Sequence, residues 1–146
     1  MKRVRLLIVL AVFALAASVL AACGGSSGPK GGTFEGINWD VAAYADASGK
    51  MIDAPVTVPM DARFESGTVA GKSGCNTYSG SYTASGSSLK VGPLMSTKMA
   101  CDQIAMDAEA AYLAAMDKAA AYTAEGGKLT IFDSSNKEVA RFTEVK

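Results

Sequence analysis

Turn-forming residues interrupt the chain at intervals of roughly ten from residue 33 onward, and this spacing constrains its fold more than any other feature. The apolar stretches between these turns are short, which favours strands over helices. Strands are predicted near residues 37–45, 57–64, 67–73, 78–85, 88–95, 119–124, 127–133 and 137–145. The last two form the clearest β-hairpin, because Leu129 and Ile131 occupy alternate positions before a turn at residues 133–136.

One segment, about residues 102–119, has helical periodicity instead. Its apolar residues recur at spacings of three and four and define one face: Ile104, Ala108, Ala111, Tyr112, Ala115 and Ala119. Asp102 is suited to cap the N-terminus of this helix. Many strands and one helix predict an α+β fold, with a mainly antiparallel sheet packed against the helix.

The first 22 residues have the organisation of an export signal. Basic residues at positions 2, 3 and 5 precede an uninterrupted apolar run over residues 6–17. This run is shorter than the roughly 20 residues that span a bilayer. It leads to Leu20-Ala21-Ala22-Cys23, which resembles the lipobox of bacterial lipoproteins. We therefore predict that residues 1–22 are removed and that Cys23 is lipidated; an ordinary secretory leader with a chance cysteine is the alternative.

Glycine, serine, proline and lysine dominate the segment that follows Cys23, and such a composition predicts a flexible tether up to residue 33. Acyl chains on Cys23 would anchor the protein stably, since each buried methylene contributes about 0.8 kcal/mol. The folded domain is predicted over residues 34–146. The predicted location is the cell envelope, on the periplasmic face of an outer membrane where one exists and otherwise on the outer face of the cell membrane.

Two motifs resemble those of a known family. The first follows the pattern G-x-x-G-C-N-x-[YF]-x-G-x-[YF] and consists of Gly71, Gly74, Cys75, Asn76, Tyr78, Gly80 and Tyr82. The second follows S-T-x-M-A-C, contains Thr97, Met99, Ala100 and Cys101, and leads into the predicted helix with its internal Glu109. Together with Trp39 and the closing hairpin, they make residues 34–146 similar to the META domain, also called the HslJ-like heat-shock lipoprotein domain.

This resemblance implies a strongly curved, mainly antiparallel sheet that is open, β-barrel-like and packed against one main α-helix. It also implies a small envelope or secreted protein associated with heat shock, antibiotic tolerance or, in some lineages, motility or virulence. No family-wide biochemical activity follows from it. The family therefore suggests a compartment and a fold, without a mechanism.

The motif residues also have physical roles that do not depend on the family. The motif glycines permit positive φ angles or close backbone approach where a curved sheet bends. Asn76 is expected to bond neighbouring backbone in its turn. Tyr78 and Tyr82 are separated by an even number of residues and should point to one face of a strand. We interpret all three roles as structural, with surface recognition by the two tyrosines as the alternative.

Cys75 and Cys101 are the cysteines that remain once Cys23 is acylated. An even pair in an oxidising compartment predicts a disulfide. Such a bond would join the glycine-rich motif to the start of the helix. The alternative is two buried, reduced thiols that behave as small hydrophobic side chains.

Residue types exclude several kinds of catalysis. The chain has no histidine, which removes Ser-His and Cys-His nucleophile pairs and histidine-based zinc sites. Residues 67–73 resemble a phosphate-binding loop, but only three residues separate their glycines where that motif has four. Glu65, Asp102 and Glu109 are candidate acid/base carboxylates, although Glu109 is equally suited to bond backbone or a lysine. We predict no catalytic residue, no metal site and no cofactor.

The charge of the mature chain argues against nucleic-acid binding. Three of the 14 basic residues lie in the leader, so the mature chain carries 11 basic and 14 acidic residues, without the basic excess that nucleic-acid binding requires. The predicted function is a non-enzymatic lipoprotein that contacts the membrane through Cys23 and another envelope component, a protein or a lipid, in stress or antibiotic tolerance. One alternative is a lipid-binding or secretin-pilot-like chaperone with an apolar slot lined by the alanine-rich face of the helix and by Met95, Met99 and Met116. Another is a hydrolase that depends on Glu109.

Overall fold

The computed structural model describes residues 31–146, which form ten strands and one helix. The strands are β1 (Asn38–Ala45), β2 (Met51–Asp53), β3 (Asp61–Glu65), β4 (Thr68–Lys72), β5 (Thr77–Ser85), β6 (Ser88–Val91), β7 (Met95–Ser96), β8 (Ala121–Glu125), β9 (Lys128–Phe132) and β10 (Glu138–Glu144). The helix is α1 (Gln103–Met116). The predicted leader, Cys23 and residues 24–30 of the predicted tether lie outside the described residues.

Eight strands close into an antiparallel barrel in the order β1, β3, β4, β5, β6, β8, β9, β10 and back to β1. The prediction of an open barrel was therefore wrong, whereas the antiparallel sheet and the single main helix are confirmed. The barrel closes because β1 pairs on both sides, with β3 through Trp39 opposite Ala62 and with β10 through Trp39 opposite Glu144. Closure satisfies the backbone groups that a free strand edge would expose. β2 and β7 pair with β1 and β5 outside this ring.

The two ends of the barrel differ. At the N-terminal end lie residues 31–36 and the turns at residues 66–67, 86–87 and 126–127. At the helix end lie α1 and the loop over residues 73–76, which joins β4 to β5. The chain therefore enters the domain at one end of the barrel, and the family motifs lie at the other end.

The barrel interior is filled by side chains from the strands. Residues with no exposed surface include Phe64, Val69, Leu89, Leu129, Ile131 and Phe142. Tyr78 and Tyr82 are also buried, which confirms that they share the inward face of β5. Phe34 closes the N-terminal end, and Tyr112 of α1 enters from the helix end. Residues 34–142 thus supply the core cluster, and a chain that begins at Gly24 carries the whole barrel.

Helix α1 begins as predicted, because the Asp102 side chain accepts a hydrogen bond from the Ala105 amide at 3.0 Å. Its buried residues are Ala105, Ala108, Tyr112, Ala115 and Met116. The prediction of Ile104 on the buried face was wrong, since this side chain is 63% exposed. The large ring of Tyr112 enters the barrel and sets the rotation of the helix, and this rotation turns Ile104 toward solvent. Within residues 31–146, no helix combines the length and the hydropathy needed to cross a membrane.

Proline explains where two strands depart from their predicted limits. β3 begins at Asp61 instead of near residue 57, because residues 55–58 form a turn closed by the Val58 amide and Pro55 carbonyl at 3.0 Å. β6 ends at Val91, just before Gly92 and Pro93. The chain then pairs briefly with the other side of β5 as β7. The three-residue strand β2 was not predicted.

Candidate functional site

The family motifs converge on the loop over residues 73–76 at the helix end. Gly71 lies in β4, Gly74, Cys75 and Asn76 in the loop, Tyr78, Gly80 and Tyr82 in β5, and Thr97, Met99, Ala100 and Cys101 between β7 and α1. Gly74 has φ of +120°, and a Cβ atom there would lie 2.9 Å from the Ala105 carbonyl oxygen. Glycine therefore lets the first turn of α1 rest directly on the loop.

Glu109 joins the helix to this loop through three hydrogen bonds. Its Oε2 accepts from the Ser73 hydroxyl at 2.8 Å and from the Asn76 amide at 2.9 Å. Its Oε1 accepts from Asn76 Nδ2 at 3.0 Å. The sequence prediction that Glu109 bonds backbone is confirmed by the Asn76 amide. Ser73, which is fully buried, was missed, because a serine inside a glycine-rich segment gives no local signal of its buried partner.

Asn76 extends the same connection to the segment before the helix. Its Oδ1 accepts from the Thr97 hydroxyl at 2.8 Å and from the Met99 amide at 2.7 Å. The expectation that Asn76 bonds its own turn was wrong, because its side chain reaches residues far away in sequence. The amide group suits this position, since its Nδ2 donates to Glu109 while its Oδ1 accepts from the second motif.

A disulfide completes the connection. Cys75 and Cys101 are bonded, with their Cα atoms 5.8 Å apart, as predicted from their number and compartment. Cys101 immediately precedes the N-cap residue Asp102, so the covalent bond joins the loop to the start of α1. We call the group of Ser73, Asn76, Thr97, Glu109 and the disulfide the motif junction.

A buried tyrosine pair lies beneath the motif junction. The hydroxyl oxygens of Tyr78 and Tyr112 are 2.7 Å apart, and Tyr78 donates to the Asp61 carbonyl at 3.1 Å. Tyr112 must then donate to Tyr78, because the single Tyr78 proton is already used. Burial raises the pKa of both hydroxyls above their ordinary value, so both remain protonated at neutral pH. This pair links the helix to the strands and bears no charge.

The structure does not bring the candidate acid/base carboxylates together. Glu65, at the N-terminal end, forms an ion pair with Arg63 at 3.1 Å, and the hydrogen bond and charge of Arg63 lower the pKa of Glu65. Asp102 caps α1, and Glu109 belongs to the motif junction. Residues 68–72 of the phosphate-loop lookalike form β4, with no helix after them. Across residues 31–146, no group of three His, Cys, Asp or Glu side chains is arranged to hold a metal ion.

The predicted methionine slot is not formed. Met116 lies in the core of the barrel, whereas Met95 and Met99 are exposed. These three side chains therefore do not line one cavity, and the methionine part of the predicted slot is wrong. The alanines of α1 do border a groove, but its lining contains no methionine. Spacing along the sequence did not distinguish a core methionine from a surface methionine.

Residues 31–35 form a strap across the N-terminal end of the barrel. Phe34 packs edge-on against Phe64 and Tyr122, with ring centroids 5.1 and 4.6 Å apart. The Trp39 indole donates to the Phe34 carbonyl at 2.9 Å, which gives the buried Trp39 its hydrogen-bond partner. The Tyr82 hydroxyl donates to Glu35, and burial followed by this carboxylate raises the pKa of Tyr82 to about 12. The chain thus enters the domain at a fixed place.

Large hydrophobic side chains are exposed mainly at the opposite end. Five of them lie on segments that contact the 73–76 loop, each at most two positions along the chain from the contacting residue. These five are Val56, Met95, Met99, Ile104 and Met106. We call these five the helix-end surface. Large apolar side chains that are exposed near one another are typical of interaction sites.

The barrel and the motif junction define a class of protein: a small closed antiparallel barrel whose single helix is held to a Gly-Cys-Asn loop by a disulfide and a glutamate. The family model for the META domain matches residues 32–146. The chain therefore belongs to the META domain family, as its motifs suggested. The search of curated proteins found no match.

Solved structures share the fold at low sequence identity. An NMR structure of a protein from Burkholderia xenovorans is similar with a TM-score of 0.61 at 24% identity, covering 77% of this chain and 84% of that chain. A crystal structure of a DUF4847 family protein from Bacteroides vulgatus has a TM-score of 0.54 at 16% identity, covering 75% of this chain and 93% of that chain. These similarities show the fold alone.

Replacement of Glu109 by glutamine should lower the free energy of unfolding by about 2 kcal/mol, because three donors lose a charged acceptor. The glutamine NH2 group would also face one of these donors. Urea denaturation of both proteins measures the difference. Asp107→Asn is the matched control, since among residues 31–146 the exposed Asp107 side chain bonds only to Gln103, one turn away. Equal losses in the two variants would show that the Glu109 carboxylate does not hold the helix.

Proposed function

We propose that this META domain protein is a membrane-anchored envelope lipoprotein that acts by binding another envelope component through the helix-end surface. The anchoring is inferred from the sequence of residues 1–23, and the association with stress or antibiotic tolerance from the family. The proposal depends on the difference between the two ends of the barrel. The chain enters at one end of the barrel, and the exposed apolar side chains gather at the other.

This difference has a simple consequence for a tethered protein. A lipid on Cys23 would hold the domain from its N-terminal end, where Gly31 and Gly32 lie against the backbone of Gly86 and Ala124. Because the predicted tether is flexible, it would not fix the domain in one orientation, but it joins the end opposite the helix-end surface and leaves that surface free to contact other components. A partner in the envelope space is the component such a surface would contact.

The chemistry of the motif junction supports binding without catalysis. Of the carboxylates considered for catalysis, Glu109 is the one bonded to the motif loop. It already accepts hydrogen bonds from three donors. A general base needs a free oxygen within hydrogen-bond reach of its substrate. Ser73 has no histidine to activate it, since the chain contains none. We therefore assign the motif residues to holding the helix and the surface beside it in place.

In-cell photo-crosslinking tests the proposal. A photoreactive phenylalanine analogue at position 104 should give a discrete adduct with an envelope component, because Ile104 lies in the helix-end surface. The same analogue at the exposed Lys128 position, beside the 126–127 turn at the N-terminal end, is the matched control and should give little adduct. Immunoblotting followed by mass spectrometry of the adduct measures both.

Two further outcomes bear on the same experiment. A chain in which a cleavable secretory leader without a cysteine replaces residues 1–23 should leave the membrane fraction and give less of the position 104 adduct, because stable anchoring depends on the acyl chains. Adducts of equal yield from positions 104 and 128, or none from position 104, would contradict binding through the helix-end surface. Retention of this leader-replaced chain in membranes would contradict the lipid anchor.

A further inference from the structure

Methionine supplies three of the five side chains of the helix-end surface. Met95, Met99 and Met106 are 73%, 59% and 45% exposed. By contrast, Met60 and Met116 are 6% and 0% exposed. All three exposed thioethers therefore lie on segments that reach the motif junction.

Thioethers are soft nucleophiles that two-electron oxidants convert to sulfoxides, and the exposed ones react first. We propose that Met95, Met99 and Met106 form an oxidant-modification site for hypochlorous acid, and that their oxidation makes the helix-end surface polar and releases its apolar partner. The effect on the partner rests on the proposed function; the modification itself does not.

The reaction balances with no cofactor. A thioether sulfur gives two electrons to the chlorine of hypochlorous acid, and chlorine leaves as chloride. One oxygen atom ends on sulfur and one proton is released, so that thioether and hypochlorous acid yield sulfoxide, chloride and a proton. The sulfoxide is strongly polar where the thioether was apolar. Three such changes within one surface would remove much of its apolar area.

The backbone beneath these methionines is held independently of their side chains. The Met99 amide donates to Asn76 Oδ1 at 2.7 Å, and its carbonyl lies 3.2 Å from Cys75 Sγ. Met106 belongs to the first turns of α1, and Met95 pairs with Ser79 in β7. Oxidation should therefore alter the surface while the fold persists, in contrast to oxidation of a core methionine such as Met116.

The order of oxidation is the first test. A purified chain from Gly24 onward is treated with limiting hypochlorous acid and analysed by peptide mapping with mass spectrometry. Sulfoxide should form about tenfold faster at positions 95, 99 and 106 than at positions 60 and 116. The circular dichroism spectrum and the urea midpoint should stay unchanged at this stage. Comparable rates at buried and exposed methionines, or loss of the fold, would overturn the proposal.

The change in surface character is the second test, with a phenyl chromatography column as the apolar probe. The oxidised wild-type chain should elute earlier than the untreated chain. The triple variant M95L/M99L/M106L keeps apolar side chains without sulfur, so its elution should not respond to the oxidant. Equal shifts in both proteins, or no shift in the wild type, would overturn the proposal.

A crosslinking experiment in cells distinguishes failure of this proposal from failure of the proposed function. The adduct from position 104 should fall severalfold after hypochlorous acid in the wild type and persist in the triple leucine variant. A fall of equal size in both would contradict release through methionine oxidation. No adduct in untreated cells would contradict the proposed function, while peptide mapping and column elution would still decide whether the surface is an oxidant-modification site.

Discussion

Substitution of Tyr112 by alanine is expected to lower the free energy of unfolding by about 4 kcal/mol. Tyr112 is fully buried, and its ring makes edge contacts with three other aromatic rings, those of Tyr44, Tyr78 and Phe142 at centroid distances of 6.2, 5.6 and 6.3 Å. Its removal would leave a cavity at the helix end of the barrel, where α1 closes the core. Urea denaturation followed by fluorescence or circular dichroism measures the loss.

Tyr112→Phe separates packing from hydrogen bonding. This variant keeps the ring and loses only the bond that Tyr112 donates to Tyr78, so we expect a loss of about 1 kcal/mol. Tyr78 keeps its own bond to the Asp61 carbonyl. Losses of equal size for Tyr112→Phe and Tyr112→Ala would show that the hydroxyl, and not the ring, holds α1 to the barrel.

Removal of the disulfide in the variant C75A/C101A is expected to lower the free energy of unfolding by about 3.5 kcal/mol. The bond joins residues 26 apart in sequence, and the chain-entropy model assigns this stabilisation to the restriction of the unfolded chain. Thermal and urea denaturation under oxidising conditions compare the variant with the wild type. A domain of this size has a typical margin of 5–15 kcal/mol, so the bond would be a substantial part of it.

Reduction provides the control for this prediction. A dithiol reductant should destabilise the wild type by about the amount that the double substitution does, and should leave C75A/C101A unchanged. Both cysteines should resist thiol labelling in protein made in cells until a reductant is added. A wild-type chain whose stability does not respond to the reductant would contradict a stabilising disulfide.

The motif junction explains why two short motifs belong together. The loop carrying Cys75 and Asn76 and the segment carrying Thr97 and Met99 meet through a covalent bond and through the Asn76 side chain. Glu109 then adds the middle of α1 to the same loop. Each motif supplies hydrogen-bond or disulfide partners for the other. The two motifs, although separate in sequence, therefore form one site in the folded domain.

Much of the local structure was predictable from sequence. The closing hairpin, the inward direction of Tyr78 and Tyr82 and the cap formed by Asp102 all follow from periodicity or from the preferences of single residues. The disulfide followed from cysteine number and compartment. The helix face was predicted less well, because Ile104 and Ala105 compete for the inward position and alanine periodicity gives a weak signal.

Sequence by itself determined the eight barrel strands, apart from some of their limits, together with the helix and the family, because these depend on residues close together in the chain or on a fixed motif spacing. Only the tertiary structure decided that β1 and β10 close the barrel, that Asn76 binds the second motif, and that Met116 is core while Met95 is surface. The physical reason is common to all three. Each depends on which distant segments come into contact, and local periodicity carries no information about those partners.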